Sequence, residues 1–335
     1  MRSEGIGSNM NKHNVLVTGI GGNVGQGILR NIRQFDPNIR IIGTNVLPVS
    51  AGNHLCDGVY AVPYSYEENY IKTVADICKR ESINLIIPST DYETLYLSEA
   101  ASMLPALATS VMETNKIFVD KWLTFQHFSK HRLSFAESSL PSLYQPGTWK
   151  EIILKPRKGR GSRGLHINPA SVAEFDDSEY MVQKLFKGKE ITTAFYVTKK
   201  EKLHGFINFE RTLESGTTNT CIVASQYNKK LHELIQKIIS CNKIRGACNV
   251  QSIVTESGDI IPFEINGRIS GTNSIRSQLG FKDVQYTLQE YLLNEEPEPI
   301  IIQQGGAVRI WMDVIYPGIN DFSEIKNQST KHHLF

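Results

Sequence analysis

The stretch from Gly246 to Arg268, GACNVQSIVTESGDIIPFEINGR, constrains this chain more than any other. Apolar and β-branched residues flank Ser257-Gly258 on both sides, which predicts two strands joined by a two-residue turn. Partners in that antiparallel ladder have numbers summing to a constant, so Gln251 falls opposite Glu264 and Asn249 opposite Asn266. Residues two apart share a face. One carboxylate (Glu264) and three carboxamides (Asn249, Gln251, Asn266) therefore occupy a single face, with Arg268 just beyond. A hard divalent cation such as Mg²⁺ takes oxygen ligands, keeps several waters, and is held by one or two carboxylates together with substrate phosphates. An adjacent arginine offers a planar fork of donors to phosphoryl oxygens. An ordinary hairpin with a solvated polar face fits the same spacing.

The 335 residues suggest two or three structural units, each with enough of the 40% hydrophobic content to bury a core. A net charge of +2, from 36 basic and 34 acidic residues, gives no electrostatic case for nucleic acid or an anionic membrane as a partner. Cys56, Cys78, Cys221, Cys241 and Cys248 form no CxxC pair, so no zinc knuckle or redox motif is suggested, and a reducing cytoplasm is expected. No run reaches the length of a membrane span, and the first residues lack an apolar signal core. Residues 1–12 are expected to be a disordered leader.

Asn14 to Thr18 is a short apolar run that enters GIGGNVGQG and then an amphipathic stretch ending near Gln34, the strand, glycine turn and helix of a βα unit. Ile39 to Asn45 and Asn84 to Ser89 repeat the strand signal, with a helix from about Glu67 to Arg80 between them, so a parallel doubly wound sheet is expected. Gly19, Gly21, Gly22 and Gly25 admit a dinucleotide-binding reading, since such glycines let a pyrophosphate approach a helix N-terminus. Against it, the second strand ends on Asn45 where ribose recognition calls for an acid. A glycine turn shaping another pocket fits better. Ser89, Thr90, Asp91 and Glu93 follow the third strand, at the edge where open α/β folds bind ligands. Helix capping explains the same residues.

Ile152 to Pro156 (IILKP) is a strand with a lone lysine, and it runs into RKGRGSRG before LHI resumes the pattern. Gly159, Gly161 and Gly164 let the backbone close over a ligand, Ser162 adds a hydroxyl, and Lys155, Arg157, Lys158, Arg160 and Arg163 concentrate positive charge. A triphosphate is the economical partner, although the tip of an exposed hairpin has the same composition. The spacing is not that of a Walker P-loop, and no helix follows. After a strand at Tyr180 to Gln183, QKLFKGKE combines Gln183, Lys184, Leu185 and Glu190, a segment able to hold adenine by backbone bonds and a ribose hydroxyl by its acid.

Taken in order, these segments resemble the ATP-grasp superfamily, and within it the branch of the carbamoyl-phosphate synthase large subunit and biotin carboxylase. The likeness runs from Val15 to about Phe281. It implies an α/β and α+β architecture: a Rossmann-like pre-ATP-grasp domain at 13–112, a small α+β subdomain with the phosphate loop at 113–180, a C-terminal α+β subdomain at 181–322, and a tail at 323–335. It further implies that Lys121 (in VDKW) and Lys155 contact phosphates, that Gly159, Gly161, Ser162, Arg163 and Gly164 form the covering loop, and that Gln183, Lys184, Leu185 and Glu190 hold adenosine. Gln251, Glu264 and Asn266 become the implied ligands of Mg²⁺, a place Mn²⁺ can also fill, and Arg268 the stabiliser of the transferred phosphoryl group. Gln183 stands where many members have an acid, and Gln251 replaces the acid of some branches. A single ATP-grasp unit is expected, without biotin-carboxylase or amidotransferase companions.

In the final third, Leu231, Leu234, Ile235, Ile238 and Ile239 follow a helical stripe that reads as core. Arg211 and Arg276 are candidate clamps for a substrate carboxylate, with salt bridges as the alternative; Gly22 and Asp91 complete the candidate substrate contacts. AVRIWMDVIYP reads as a last strand rejoining the core, and the tail after Phe322 as loose. The functional expectation is an ATP- and Mg²⁺-dependent carboxylate-amine ligase acting through an acylphosphate, cytoplasmic, with ATP, a carboxylate and an amine as partners and a homodimer as its oligomeric form. The rivals are an NAD-binding oxidoreductase or epimerase and a catalytically silent nucleotide-binding module.

Overall fold

The computed structural model describes residues 13–159, 161 and 163–335; the expected leader at 1–12, Arg160 and Ser162 lie outside the described residues. The chain opens with β1 (Asn14–Val17), α1 (Asn23–Phe35), β2 (Arg40–Asn45), β3 (Gly58–Ala61), α2 (Tyr70–Arg80), β4 (Leu85–Ile87), α3 (Asp91–Glu99) and β5 (Ala106–Leu107). The five strands form a parallel sheet in the order β3-β2-β1-β4-β5, with Val15 opposite both Ile41 and Leu85. Val15, Leu16 and Val17 are all fully buried, as expected of a parallel strand covered on both faces.

Close packing accounts for most of the glycine turn. Gly19 has φ +58, and a Cβ there would lie 2.4 Å from Ser89 Oγ. A Cβ on Gly25 would lie 2.5 Å from the Gly19 carbonyl oxygen, and one on Gly27 would lie 2.2 Å from Asn273 Oδ1. Gly22 precedes α1 as its N-cap and is the one with room, its nearest neighbour at 3.7 Å.

Two helices follow, α4 (Met112–Val119) and α5 (Lys121–Lys130), and then β6 (Ser138–Ser139), β7 (Ile152–Pro156), β8 (His166–Ile167) and β9 (Tyr180–Lys184). These four strands form a small sheet in the order β6-β9-β7-β8. The remaining elements are β10 (Lys189–Val197), β11 (Leu203–Glu214), β12 (Thr217–Val223), α6 (Asn228–Ser240), β13 (Gly246–Val254), β14 (Ile260–Asn266), α7 (Asn273–Gln278), α8 (Asp283–Leu288), β15 (Gly306–Val308), β16 (Val314–Ile315) and β17 (His333–Leu334). Strands β14-β13-β10-β11-β12-β15 make a six-stranded antiparallel sheet. One of its faces packs Tyr196, Ile207 and Phe209 into a core shared with Ile28 and Ile32 of α1 and Phe281 and Tyr286 around α8. Its other face buries Phe195, Val197 and Val250 against Phe118 and Phe128 of α4 and α5 and the Ile235 and Ile238 stripe of α6.

Several expectations need correction. The boundary at 180/181 cuts β9, which pairs with β6 and β7; the small sheet ends at Lys184. Helices α4 and α5 belong by packing to the large sheet, because their apolar residues face its core. Of the supposed last strand only Gly306–Val308 joins the sheet, at its edge, while Val308, Ile310 and Trp311 stay exposed. The C-terminal tail is docked rather than loose. Ile325 is buried, Gln328 N donates to the Cys56 carbonyl, Asn327 Nδ2 donates to the Asp57 carbonyl, and β17 pairs with β16.

Candidate active site

The β13–β14 hairpin brings Gln251 opposite Glu264 and Asn249 opposite Asn266, although the turn differs from the expected one. Thr255 N donates to Asp259 O at 3.0 Å and Gly258, at φ +79, donates to Thr255 O, so the loop is Glu256 to Gly258, one residue longer. That turn shifts the pairing by one, setting Val254 opposite Ile260. A bulge then shifts it back: Phe263 is the extra residue between the Gln251–Glu264 and Ser252–Pro262 pairs. The bulge releases the Phe263 carbonyl from the ladder, and it accepts a hydrogen bond from Lys155 Nζ at 3.1 Å.

Between the small sheet and this hairpin lies a cleft of about 1060 Å³ including its open mouth. Its walls are apolar, lined by Ile153, Leu185 and Phe186 from the small sheet and the segment after it and by Ile253, Ile261 and Phe263 from the hairpin. Lys121, hydrogen-bonded to the Gly159 carbonyl, and Lys155 meet Glu264 in the cleft, and Gly161, Arg163, Glu190 and Gln251 complete its polar lining. A mostly apolar slot with a few fixed polar groups is the usual form of a small-molecule site. A smaller cleft adjoins it, lined by Glu264, Asn266, Lys121 and Gly159 together with Thr90, Asp91 and Tyr92 from the N-terminal sheet's edge.

Each charged group here has a defined neighbour. Lys155 is buried and donates to Gln183 Oε1 at 2.8 Å; Gln183 Nε2 in turn donates to Ser138 Oγ at 3.1 Å. Burial, reinforced by Lys121 and only partly offset by Glu264, lowers the Lys155 ammonium to about 7. Lys121 Nζ donates to the Gly159 carbonyl and stands 3.9 Å from Glu264 Oε2. Burial acts to raise the Glu264 carboxyl and is its largest single influence, but Lys121, Lys155, the Asn266 hydrogen bond and Arg268 together outweigh it, and the carboxyl lies below its usual range. Asp120 caps α5 through Trp122 N and Leu123 N and also accepts Arg157 Nη2 at 2.7 Å, tying the root of the glycine loop to the helix that carries Lys121.

Other candidates sit differently from expectation. Gly164 (φ +69) packs on Pro156 instead of lining the cleft, a Cβ there lying 3.0 Å from the proline ring. Gln183 spends both ends of its amide on Lys155 and Ser138. Lys184 lines the cleft, but its ammonium is paired with Glu137 at 2.7 Å. Gln251 Oε1 accepts from Arg211 Nη2 at 2.6 Å, and Asn266 Oδ1 accepts from Gln251 Nε2 at 3.3 Å, so each carboxamide oxygen already shares one lone pair with the protein. Asn249 accepts from Thr192 and Ser270 and is committed to the fold. Arg276 is fully buried with Asp283, Ser270 Oγ and Thr272 Oγ1 around it, so it is structural and out of a substrate's reach. Arg211 forms the alternative salt bridge, to Glu190 at 2.6 Å, with its side chain 10% exposed and behind the residues that line the cleft. Asp91 accepts Arg268 Nε and Nη2 at 3.1 and 2.6 Å, joining the N-terminal domain to the hairpin. Thr90 caps α3 through Glu93 N, the expected alternative for that segment. Gly22 lines neither cleft.

Glu264 and Asn266 suit a hard cation, offering a carboxylate oxygen and a carboxamide oxygen at the phosphate end. Among the described residues no group of three or more His, Cys, Asp or Glu side chains could hold a metal, so such an ion would draw its remaining ligands from phosphate and water.

A parallel N-terminal sheet followed by two antiparallel sheets that enclose a basic, glycine-looped cleft agrees with the comparisons, by which the chain carries an ATP-grasp domain behind a PylC-like N-terminal domain. A family model described as an ATP-grasp domain matches residues 118–272, and one described as a PylC-like N-terminal domain matches residues 15–112. The chain is 22% identical to the carbamoyl phosphate synthase large chain of Methanothermobacter thermautotrophicus over 292 residues, covering 74% of this chain and 26% of that protein. It thus spans about a quarter of that relative's length. Among solved structures, N5-carboxyaminoimidazole synthetase from Staphylococcus aureus complexed with ADP is similar at TM-score 0.72 and 12% identity, over 87% of this chain and 80% of that one. Carboxyaminoimidazole ribonucleotide synthase from Aspergillus clavatus complexed with ATP matches at TM-score 0.69 and 18% identity, over 88% and 79%. The biotin carboxylase domain of Hydrogenobacter thermophilus 2-oxoglutarate carboxylase, with MgADP and bicarbonate, matches at 0.67 and 12%, over 87% and 73%. At these identities the likeness is one of fold.

Proposed function

We propose that the protein is an ATP-dependent carboxylate-amine ligase that forms a C–N bond through an acylphosphate. What supports this most is the meeting of Lys121 and Lys155 with Glu264 in an apolar cleft that Gly159, Gly161 and Arg163 of the glycine loop also line. Adenine fits between Ile153 and Leu185 on one side and Ile253 and Ile261 on the other, and Glu190 is the acid within reach of a ribose. The phosphates then extend toward Lys121 and Lys155, with the glycine loop above them. Mg²⁺, held by Glu264 and Asn266, would neutralise charge on the β- and γ-phosphates.

The adjoining cleft at Thr90 to Tyr92 is where a carboxylate substrate reaches the γ-phosphoryl group. A carboxylate oxygen bonds to phosphorus as the bond to ADP breaks. An amine then attacks the acyl carbon, and inorganic phosphate leaves with the C–O bond electrons. Arg268, whose Nε and Nη2 hold Asp91 and whose Nη1 donates to the Ile269 carbonyl, supplies positive charge that stabilises the transferred group and the tetrahedral oxyanion. No side-chain nucleophile is required. Structures of similar fold with ATP or ADP bound agree with the nucleotide, and among the described residues no helix is long and apolar enough to cross a membrane.

The test is ADP release across a panel of amino acids and sugar acids, each offered with an amine, for the wild type and Glu264→Gln. At least one pair should raise ADP release, and the substitution should lower it by about 10²–10³-fold, in line with loss of one preorganised electrostatic group. Because the Glu264 charge is net favoured beside its lysines, the variant should also melt a few degrees lower without nucleotide. Nucleotide binding with no ADP release from any pair would favour a silent module. NADH binding in place of ATP would favour the glycine-turn alternative.

A further inference from the structure

Beyond the side chains that line the phosphate end, a continuous hydrogen-bond chain crosses the large sheet beneath the cleft. Arg211 on β11 donates through Nη2 to Gln251 Oε1 at 2.6 Å. Gln251 Nε2 donates to Asn266 Oδ1 at 3.3 Å, and Asn266 Nδ2 donates to Glu264 Oε1 at 3.1 Å. At its head Arg211 is itself anchored, with Nε and Nη2 on Glu190 Oε1 and Nη1 on Thr218 Oγ1.

Two amides in series could face either way, because each has a donor end and an acceptor end. A guanidinium only donates, and an ionised carboxylate only accepts. With Arg211 at one end and Glu264 at the other, a single orientation of both amides leaves no donor facing a donor and no acceptor facing an acceptor. We propose that Arg211 is a positioning residue: it orients Gln251 and Asn266 so that Glu264 is held by one oxygen and presents the other to the metal–phosphate end of the cleft. This role rests on the nucleotide and metal reading of the site given above. It is distinct from a clamp on substrate, because all three donor groups of Arg211 are occupied within the protein.

The relay also joins the two ends of the nucleotide cleft. Glu190 lies at the ribose end and Glu264 at the phosphate end, and both are hydrogen-bonded to the same chain of side chains. Links in such a chain polarise one another, so that cutting any one of them weakens the rest. An arginine is needed at the head, since only a planar fork can hold Glu190 and Gln251 together. A lysine would reach one of them as a point charge. Removing a group that orients a metal ligand typically costs 10–100-fold in metal affinity.

Mn²⁺ can be followed by electron paramagnetic resonance in the presence of a non-hydrolysable ATP analogue, with nucleotide affinity in EDTA measured by calorimetry on the same preparations. The variants are Arg211→Gln, Arg211→Lys, the shape-preserving Gln251→Met, and the double variant Arg211→Gln/Gln251→Met. We expect each single variant to bind Mn²⁺ about tenfold or more weakly, Arg211→Lys less so than Arg211→Gln. Nucleotide affinity in EDTA should change by less than about threefold in Gln251→Met, which leaves Arg211 on Glu190, so that this variant separates a loss of metal from a loss of nucleotide. The double variant should be no worse than the poorer single one, because both cut the same chain. Additive losses, or unchanged Mn²⁺ affinity, would overturn the relay while leaving nucleotide binding by the wild type intact. A wild type that binds neither the analogue nor Mn²⁺ would overturn the functional reading, and the relay with it.

Discussion

At the scale of single residues, Lys155 is the group most changed by folding. The unfolded chain keeps its lysine proton to an ordinary value of 10.5, whereas burial beside Lys121 brings the folded value to about 7. Between those limits the unfolded state binds more protons, so stability rises with pH across that window and is flat below it. The nucleotide-free protein should therefore melt progressively higher from pH 7 to 9, and Lys155→Met should lose that slope; parallel slopes would assign it to other groups. A bound polyphosphate adds the negative charge that Lys155 lacks when alone, so nucleotide binding at pH 8 should take up a proton. Calorimetry in buffers of different ionisation enthalpy reads this directly, and an enthalpy independent of buffer would refute it. That Lys155 belongs to a site was legible from a lone lysine in an apolar strand before a glycine loop. Its partners were not, because Ser138 is an ordinary polar residue in sequence and the Phe263 carbonyl becomes available only through a bulge. Arg276 shows the reverse failure: its nearness in sequence to the metal strand suggested a clamp, while Asp283, seven residues on, takes it into the core.

At the scale of elements, alternation along β13 and β14 determined the face of the site, and the register followed, since a slip of one residue would have buried Glu264 and exposed Ile265. The turn was misjudged by one residue and the bulge compensated, a pair of departures that cancel at the site and so leave no trace in the alternation. Ile253 and Ile261 line the cleft without standing out in the sequence, because apolar cleft walls and core residues are indistinguishable by periodicity. The covering loop between β7 and β8 has a seat that sequence could not show. A Cβ on Gly216, which has φ +73 in the β11–β12 turn, would lie 2.3 Å from the Gly161 carbonyl oxygen, so the two backbones are in direct contact. Gly216→Ala should push the loop off that turn, combining a strained φ with a clash that only backbone movement relieves. Amide exchange across 157–165 should be faster in the variant than in the wild type without nucleotide, and ATP should slow both. Equal exchange in the two free proteins would mean that the turn does not support the loop.

At the scale of the whole molecule, nucleotide cleft and chemistry depend on different interfaces. The cleft is built from residues between 121 and 264, on α5, the two antiparallel sheets and the loops between their strands, and among the described residues none of its lining comes from the N-terminal domain. The adjoining cleft does need that domain, since Thr90, Asp91 and Tyr92 enter from the edge of the parallel sheet and Asp91 holds Arg268. The register between the two halves is set where α1 meets the start of α7. Gly27 lies against Asn273, which is fully buried and fixed by hydrogen bonds to Val24 O, Ser270 O and Asn31. Gly27→Ala would put a methyl group 2.2 Å from Asn273 Oδ1, where neither helix can yield cheaply. Overpacking of this kind costs about 1–3 kcal/mol, so a lower melting temperature is expected. The more informative outcome is a split. Displacing the N-terminal domain should leave ATP affinity within a few-fold of the wild type, because Lys121, Lys155 and Glu264 stay in one rigid frame. ADP formation should fall by tenfold or more, because Arg268 loses its anchor and the adjoining cleft loses a wall. Calorimetric affinity and turnover measured on the same preparation decide it: an affinity that falls in proportion to turnover would mean that the N-terminal domain holds the nucleotide cleft together, and that the division between binding and chemistry drawn from the lining residues is wrong.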